Sequence, residues 1–204
     1  MVPRRFFSAQ LLLSFFLFVL LCPVARAQDV LSRTSGETLS HFGHRLLPRG
    51  TVLASPVREV TLSPFVHTFV LLFGETPENY EEGWVLTPLP GTRGKYHKYL
   101  LPPTDEINLS IVASPSFRVK SVFSAPLRQG AAPSLLIVFL VKGKGAVKEG
   151  GGRSDEQEYV TGVYRWTGHE FASDGLSDRL AGILDEAAVR LKLHALAARR
   201  SQEK

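Results

Sequence analysis

The sequence predicts a mainly β, α+β domain: an antiparallel meander of two related four-stranded units, packed as a sandwich or joined in one curved sheet, with an amphipathic C-terminal helix. Three observations predict it. From Thr51 to Ala172 the chain is rich in β-branched and aromatic residues punctuated by Pro and Gly, the pattern of many short strands. Leu135 to Val141 is apolar at every position, which suits a strand buried on both faces, and Thr167-Gly168 between β-rich runs marks a turn. From Leu176 to Arg200 apolar residues return at helical spacing.

Residues 1–27 read as a secretory leader. Arg4 and Arg5 precede an apolar run from Leu11 to Leu21 broken only by Ser14, followed by Pro23 and the small-x-small sequence Ala25-Arg26-Ala27. Cleavage after Ala27 would leave a chain starting at Gln28, secreted or periplasmic. The alternative is an uncleaved anchor, since Phe6 to Ala25 approaches the length of a bilayer span. Lipid attachment at Cys22 is rejected because Leu21, not a small residue, precedes it.

Removing the leader changes the chemistry available. Cys22 is the single cysteine, so the remaining chain has no disulfide, thiolate nucleophile or cysteine metal site. The leader also holds three of the 24 basic residues and none of the 19 acidic ones. What remains carries 21 against 19, a formal charge of +2 in place of +5, and this argues against a nucleic-acid partner. The remaining 177 of 204 residues suffice for one domain with its own core.

Residues 28–50 form an N-terminal helical segment in this reading. Leu39, Phe42 and Leu46 fall at helical spacing, Thr34-x-x-Glu37 resembles a capping box, and Pro48-Arg49-Gly50 ends the run. Residues 51–204 form the β-rich domain. Strands are expected at Val57 to Leu62, Phe65 to Phe73, Gly83 to Leu89, Lys95 to Leu101, Phe117 to Ser124, Leu135 to Val141, Glu158 to Trp166 and Glu170 to Ala172.

Two units, 51–102 and 116–173, read as an internal duplication. Val57, Arg58, Val60 and Pro64 match Val119, Lys120, Val122 and Pro126 in type and spacing. The apolar runs Phe69 to Phe73 and Leu136 to Leu140 correspond, and Tyr80-Glu-Glu-Gly83 matches Tyr159-Val-Thr-Gly162. The C-terminal helical segment, 176–200, has Leu176, Leu180, Ile183, Leu184, Ala187, Leu191 and Ala198 close to helical spacing, as one helix or as two with a break near Gly182 to Asp185. Its acidic start (Asp174, Asp178) and basic end (Lys192, Arg199, Arg200) suit the helix dipole.

The second unit, Ala125-Pro-Leu-Arg-Gln-Gly-Ala-Ala-Pro through Gly143 and then Glu158 to Ser173 with its Tyr164-x-Trp166-x-Gly168 hairpin, resembles propeller-blade repeats of the FG-GAP type. It also resembles secreted bacterial proteins in which an apolar strand precedes such a hairpin. The resemblance implies a strand–turn–strand unit. It implies no calcium site, because Lys142-Gly-Lys144-Gly145 stands where such blades carry an Asp-rich loop. Two units cannot close a propeller, so they must pack on each other or merge.

Candidate chemistry is sparse. His41-x-x-His44 is the one histidine pair at a metal-like spacing, but both should face solvent opposite Leu39, Phe42 and Leu46, with no third ligand nearby. His67 alternates in phase with Phe65, Phe69, Leu71 and Phe73, which places it on an apolar face or its rim. Glu75, Glu78, Glu81 and Glu82 read as a solvated hairpin tip, where glycoside hydrolysis would need carboxylates held at a fixed separation. The glycine-lysine loop from Lys142 to Arg153 lacks the Gly-Lys-Ser/Thr ending of a phosphate loop and leads into a strand. No Gly-x-Ser-x-Gly nucleophile motif occurs, and Asn108-Leu-Ser110 is a glycosylation sequon only in a eukaryotic setting.

The remaining constellation is Trp84, Tyr96, Tyr99, Tyr164 and Trp166, with Tyr80 and Tyr159, which serve either as cross-strand packing partners or as a contact platform. Lys142 and Lys144 add positive charge to that candidate surface, with Lys148 beside them. The resulting expectation is an exported, non-enzymatic binding or scaffold protein without cofactor or metal. Its partner would be a protein or polymer of the cell envelope. The alternatives are a hydrolase of an envelope or extracellular polymer, using Glu75 to Glu82 or His67, and a peripheral protein with weak membrane-surface contact through its lysines and basic C-terminus.

Overall fold

The computed structural model describes residues 29–78, 81–102, 116–128, 130–142 and 157–202. Residues 1–28 with Cys22, Tyr80, the Asn108 sequon and the loop carrying Lys144 and Lys148 lie outside the described residues.

The fold is mainly antiparallel β, as the sequence predicts. After strand β1 (Val30–Ser32) and helix α1 (Leu39–Leu46) come β2 (Val52–Leu53), β3 (Arg58–Leu62), β4 (Phe65–Gly74), β5 (Glu82–Pro88) and β6 (Lys95–Leu100). The second half holds β7 (Ser116–Pro126), β8 (Pro133–Lys142), β9 (Gln157–Trp166) and β10 (Phe171–Ser173), then helices α2 (Ser177–Leu180) and α3 (Glu186–Gln202). The eight expected strands form within a residue or two of their expected limits. The C-terminal helix breaks at Gly182, which has a positive φ of 74°, and restarts with Asp185 capping the Ala188 N–H at 2.9 Å.

Two sheets result. The first runs β1-β6-β5-β4, with β3 and β2 sharing the far edge of β4; the second is the meander β10-β9-β8-β7. One core cluster joins them, since Val60, Leu62, Val70, Leu72 and Val85 of the first sheet pack with Leu135, Ile137, Phe139, Val160 and Tyr164 of the second. The sheets therefore face each other as a sandwich.

The outer faces are covered too. On the first sheet, Phe69, Leu71, Phe73 and Leu86 point away from the partner sheet and pack with Phe42 of α1. On the second, Leu136, Val138 and Val163 lie against Leu180 of α2 and Val189 and Leu193 of α3. Four layers explain the unbroken apolar runs of β4 and β8: alternate side chains enter two different cores, so neither parity can be polar.

Two interior glycines shape the sandwich. Gly83 pairs with Leu72 and Gly162 with Ile137, so both glycines lie on the inter-sheet face of their strands. At Gly162 the Tyr164 ring lies over the missing side chain, 3.0 Å from where a Cβ would stand.

The first described residues depart from expectation. Asp29 to Ser32 is extended, because β1 pairs with the edge of β6 (Leu31 with Tyr96), and α1 starts only at Leu39. Its cap is Thr38, whose Oγ1 accepts from the His41 N–H at 3.2 Å. Thr34 and Glu37 form the turn before it: the Thr34 N–H donates to Glu37 Oε2 at 2.9 Å and the Glu37 N–H to the Thr34 carbonyl at 3.1 Å.

His67 is the second departure. Val60 pairs with Thr68 but Leu62 with Phe65, so β4 carries one extra residue there. His67 adopts a left-handed φ of 56° in that bulge, and its side chain turns to solvent to pair with Glu59. Alternation counted straight through the bulge puts this histidine on the wrong face.

Candidate binding groove

The five described aromatic candidates do not share a surface. Tyr96 is 8 % exposed between the rings of Phe42 and Phe69. Trp84, also 8 % exposed, is edge-on to Phe73 at 4.7 Å, donates Nε1–H to Glu82 at 2.9 Å and carries the Lys98 ammonium 4.7 Å above its ring. Tyr164 is 1 % exposed in the inter-sheet core. Burial leaves these three no ring face for a ligand, so of the two readings, cross-strand packing or a contact platform, packing holds for them. Tyr99 and Trp166 do meet, at 4.9 Å, and with Phe65 and Phe171 form an aromatic corner where β4, β6, β9 and β10 converge. Lys142 ends β8, on a different element from any of them.

The other candidates stand apart. His41 and His44 are exposed on α1 as the spacing predicts, and His41 Nδ1 lies 2.9 Å from Glu37 Oε1. Glu75, Glu78 and Glu81 are exposed, while Glu82 accepts the Trp84 indole N–H. Among the described residues no three His, Cys, Asp or Glu side chains converge as a metal-holding group.

Glu37 centres a network. Arg45 grips it bidentately, Nε to Oε1 at 2.8 Å and Nη2 to Oε2 at 2.9 Å, and Arg45 Nη2 also reaches the Ser32 carbonyl at 2.7 Å. The Arg45 hydrogen bonds hold the Glu37 carboxyl far below the usual carboxylate range, and the Thr34 N–H and His41 ring act in the same direction against a desolvation cost. The network ties β1 to α1. It faces no cleft.

Concavity is found instead around the β7–β8 hairpin. β7 and β8 stay paired to Pro126 and Pro133, and the two prolines end the ladder. Helix α3 crosses the outer face of this sheet, seating Val189 and Leu193, and Arg190 binds the strand edge: Nη2 donates to the Ser124 carbonyl at 2.9 Å and the guanidinium stacks 4.9 Å over Phe123. Between hairpin and helix lies a groove of roughly 470 Å³. Ala125, Pro126, Leu193, Ala197 and Ala198 form its apolar wall; Arg128, Arg190 and His194 are its charged or ionisable lining.

Arg128 also lines a neighbouring cleft of roughly 240 Å³ with Arg165, Trp166, Ser63, Ser134 and Asp174. Trp166 links that cleft to the aromatic corner. The Arg190 guanidinium is partly satisfied: Nε and Nη2 bind Glu186 Oε1 at 2.9 and 2.7 Å, which leaves the two Nη1 donors. The Arg128 guanidinium has no hydrogen-bonding or ion-pair partner among the described residues, so its five donors are open to the two clefts.

No family model matches this chain, and no curated protein or solved structure is significantly similar to it.

Proposed function

We propose that this chain is an exported, non-catalytic binding protein that takes an anionic ligand at the β7–β8 end of the sandwich. The observation that carries the reading is Arg128: an unpaired guanidinium standing between two clefts, with Arg190 on one side and Arg165 on the other. A planar fork of donors in a partly apolar recess suits a carboxylate or phosphate. Among the described residues Asp174, in the smaller cleft, is the one acid lining either recess.

The test is thermal melting of the purified protein with acetate, phosphate and decanoate, against neutral sugars and alkylammonium ions. At least one of the anions should raise the Tm while the neutral and cationic compounds do not, and Arg128→Gln should remove the shift. A protein indifferent to every anion, or an Arg128→Gln variant that responds like the parent, defeats the reading.

Export rests on the charged, apolar and small-residue regions of residues 1–27. We also infer that the two halves derive from one duplicated unit. Each contains a four-stranded antiparallel meander (β3 to β6, β7 to β10) in which the glycine of a Tyr-x-x-Gly sequence pairs with an apolar residue of the preceding strand.

A further inference from the structure

We propose that the larger groove binds a single-tailed anionic amphiphile, a long-chain alkyl carboxylate, with its headgroup between Arg128 and Arg190 and its tail along α3. The proposal rests on the anion-binding reading and deepens it by assigning the ligand's other half. Charge and apolar surface are segregated along the groove. Arg190 and His194 lie one turn apart on α3, and the lining continues in the same direction through Ala197 and Ala198 without a further charged residue. From residue 190 to 198 an α-helix rises about 12 Å. Pro126 and Ala125 form the opposite wall, so a chain laid there touches apolar atoms on two sides.

The headgroup assignment follows from donors. Arg190 Nη1 and the whole Arg128 guanidinium are available, and among the described residues no acid lines the groove. Glu186 is already bound to Arg190 and lies toward the start of the helix, away from Ala197 and Ala198. Two guanidinium groups match a carboxylate in charge and in fork geometry. A small inorganic anion would leave the alanine and leucine wall in water, and a neutral amphiphile would leave Arg128 unpaired. The volume, roughly 470 Å³, lies in the range of small-molecule sites and suits one tail.

The experiment is isothermal titration of the protein with acetate, hexanoate, octanoate and decanoate, each below its critical micelle concentration. Parallel arms use inorganic phosphate, octyl glucoside, decyltrimethylammonium and vesicles of anionic phospholipid. Affinity should rise with chain length, by up to about fourfold per methylene at full burial and less in an open groove. Arg128→Gln should weaken decanoate at least tenfold. Ala198→Trp, at an exposed helix position, should flatten the chain-length dependence while preserving the fold by circular dichroism and urea midpoint.

Acetate or phosphate binding as tightly as decanoate overturns the amphiphile and leaves an anion site standing. Octyl glucoside matching octanoate overturns both readings, as does no binding by any anion. Binding to anionic vesicles without binding to monomeric decanoate also overturns the proposal, in favour of a membrane surface. Decanoate binding unchanged in both variants places it elsewhere and refutes the assigned groove.

Discussion

Gly43→Ala sets two measurable effects against each other inside α1. Alanine is favoured over glycine in a helix interior by about 1 kcal/mol, so on propensity alone the change stabilises. The structure opposes it. A Cβ at Gly43 would stand 2.3 Å from Val57 Cγ2, with Leu53 Cδ1 at 3.7 Å and Leu71 Cδ2 at 3.8 Å closing the other sides. Val57 is β-branched and stiff at χ1, so relief requires α1 to lift from the sheet or Val57 to leave its rotamer. Overpacking of this kind costs about 1–3 kcal/mol. The net expectation is destabilisation by about 0–2 kcal/mol, read as a lower urea midpoint at unchanged slope. A double-mutant cycle isolates the cause: in a Val57→Ala background the clash is gone, and Gly43→Ala should then stabilise by up to about 1 kcal/mol. Stabilisation in the parent, or a cycle with no coupling, refutes the close approach of α1 to the strand edge.

Phe139→Ala, in the core between the sheets with a ring that is 0 % exposed, should cost about 3–5 kcal/mol, whereas Leu191→Ala, 73 % exposed on α3, should stay within about 0.5 kcal/mol in the same urea titration. Similar losses for the two would mean that the sheets do not share a core. Glu37→Gln should lower the Tm at neutral pH. Because the folded carboxyl titrates below its ordinary value of 4.5, its contribution is complete above that value and fades as the pH falls toward the folded one. The gap between parent and variant should therefore close in acid, and a gap unchanged at acidic pH counts against the Arg45 pairing. Thr87→Val should stabilise by about 1 kcal/mol, since the Thr87 hydroxyl is buried without a hydrogen-bond partner; destabilisation would reveal a partner for it.

The strands were legible because their signal is local. Pro and Gly fence each run, and apolar content over a handful of residues identifies β4, β5, β8 and β9 without knowledge of their neighbours. β1 and β2, of three and two residues, carry no such signal, because each exists through an edge elsewhere in the chain. Glu37 was legible only in part for a related reason: its carboxylate accepts the Thr34 N–H as the Thr-x-x-Glu spacing suggests, but the pair closes a turn ahead of the helix, and the grip of Arg45 on the same carboxylate has no local signal. Parity held more than was drawn from it. Tyr96 and Tyr99 are three apart on one strand and must face opposite ways, which already separates them as members of one platform. Arg128 had no signature at all. A lone arginine among Pro, Gly and Ala reads as a turn, and its clefts are made by residues far along the chain: the larger by α3 returning across the second sheet, the smaller by Ser63, Arg165 and Trp166.

The four-layer arrangement limits where this protein can bind anything. Each sheet is covered on its outer face by a helix and on its inner face by the other sheet, so the broad surfaces that β proteins often present to ligands are used up as core. Edges remain, but β7, the open edge of the second sheet, is guarded along its length. Arg118 and Lys120 are exposed on it, a bulge between Val119 and Ser121 breaks its register, and Arg190 occupies the Ser124 carbonyl. What is left are the ends, where hairpin tips are free of ladder constraints and side chains from β7, β8, β9 and α3 converge. Lys98 is engaged with Asp29 and Trp84, and Arg33 and Arg45 with the Glu37 turn and the rings of Phe69 and Phe42. Arg128 lacks any such partner while lining both a cationic apolar groove and the cleft beside Trp166. An exposed arginine that lines two recesses, its guanidinium without a partner among the described residues, is worth more to a ligand than to the fold, and this is why the site is assigned to the β7–β8 end and not to the aromatic faces.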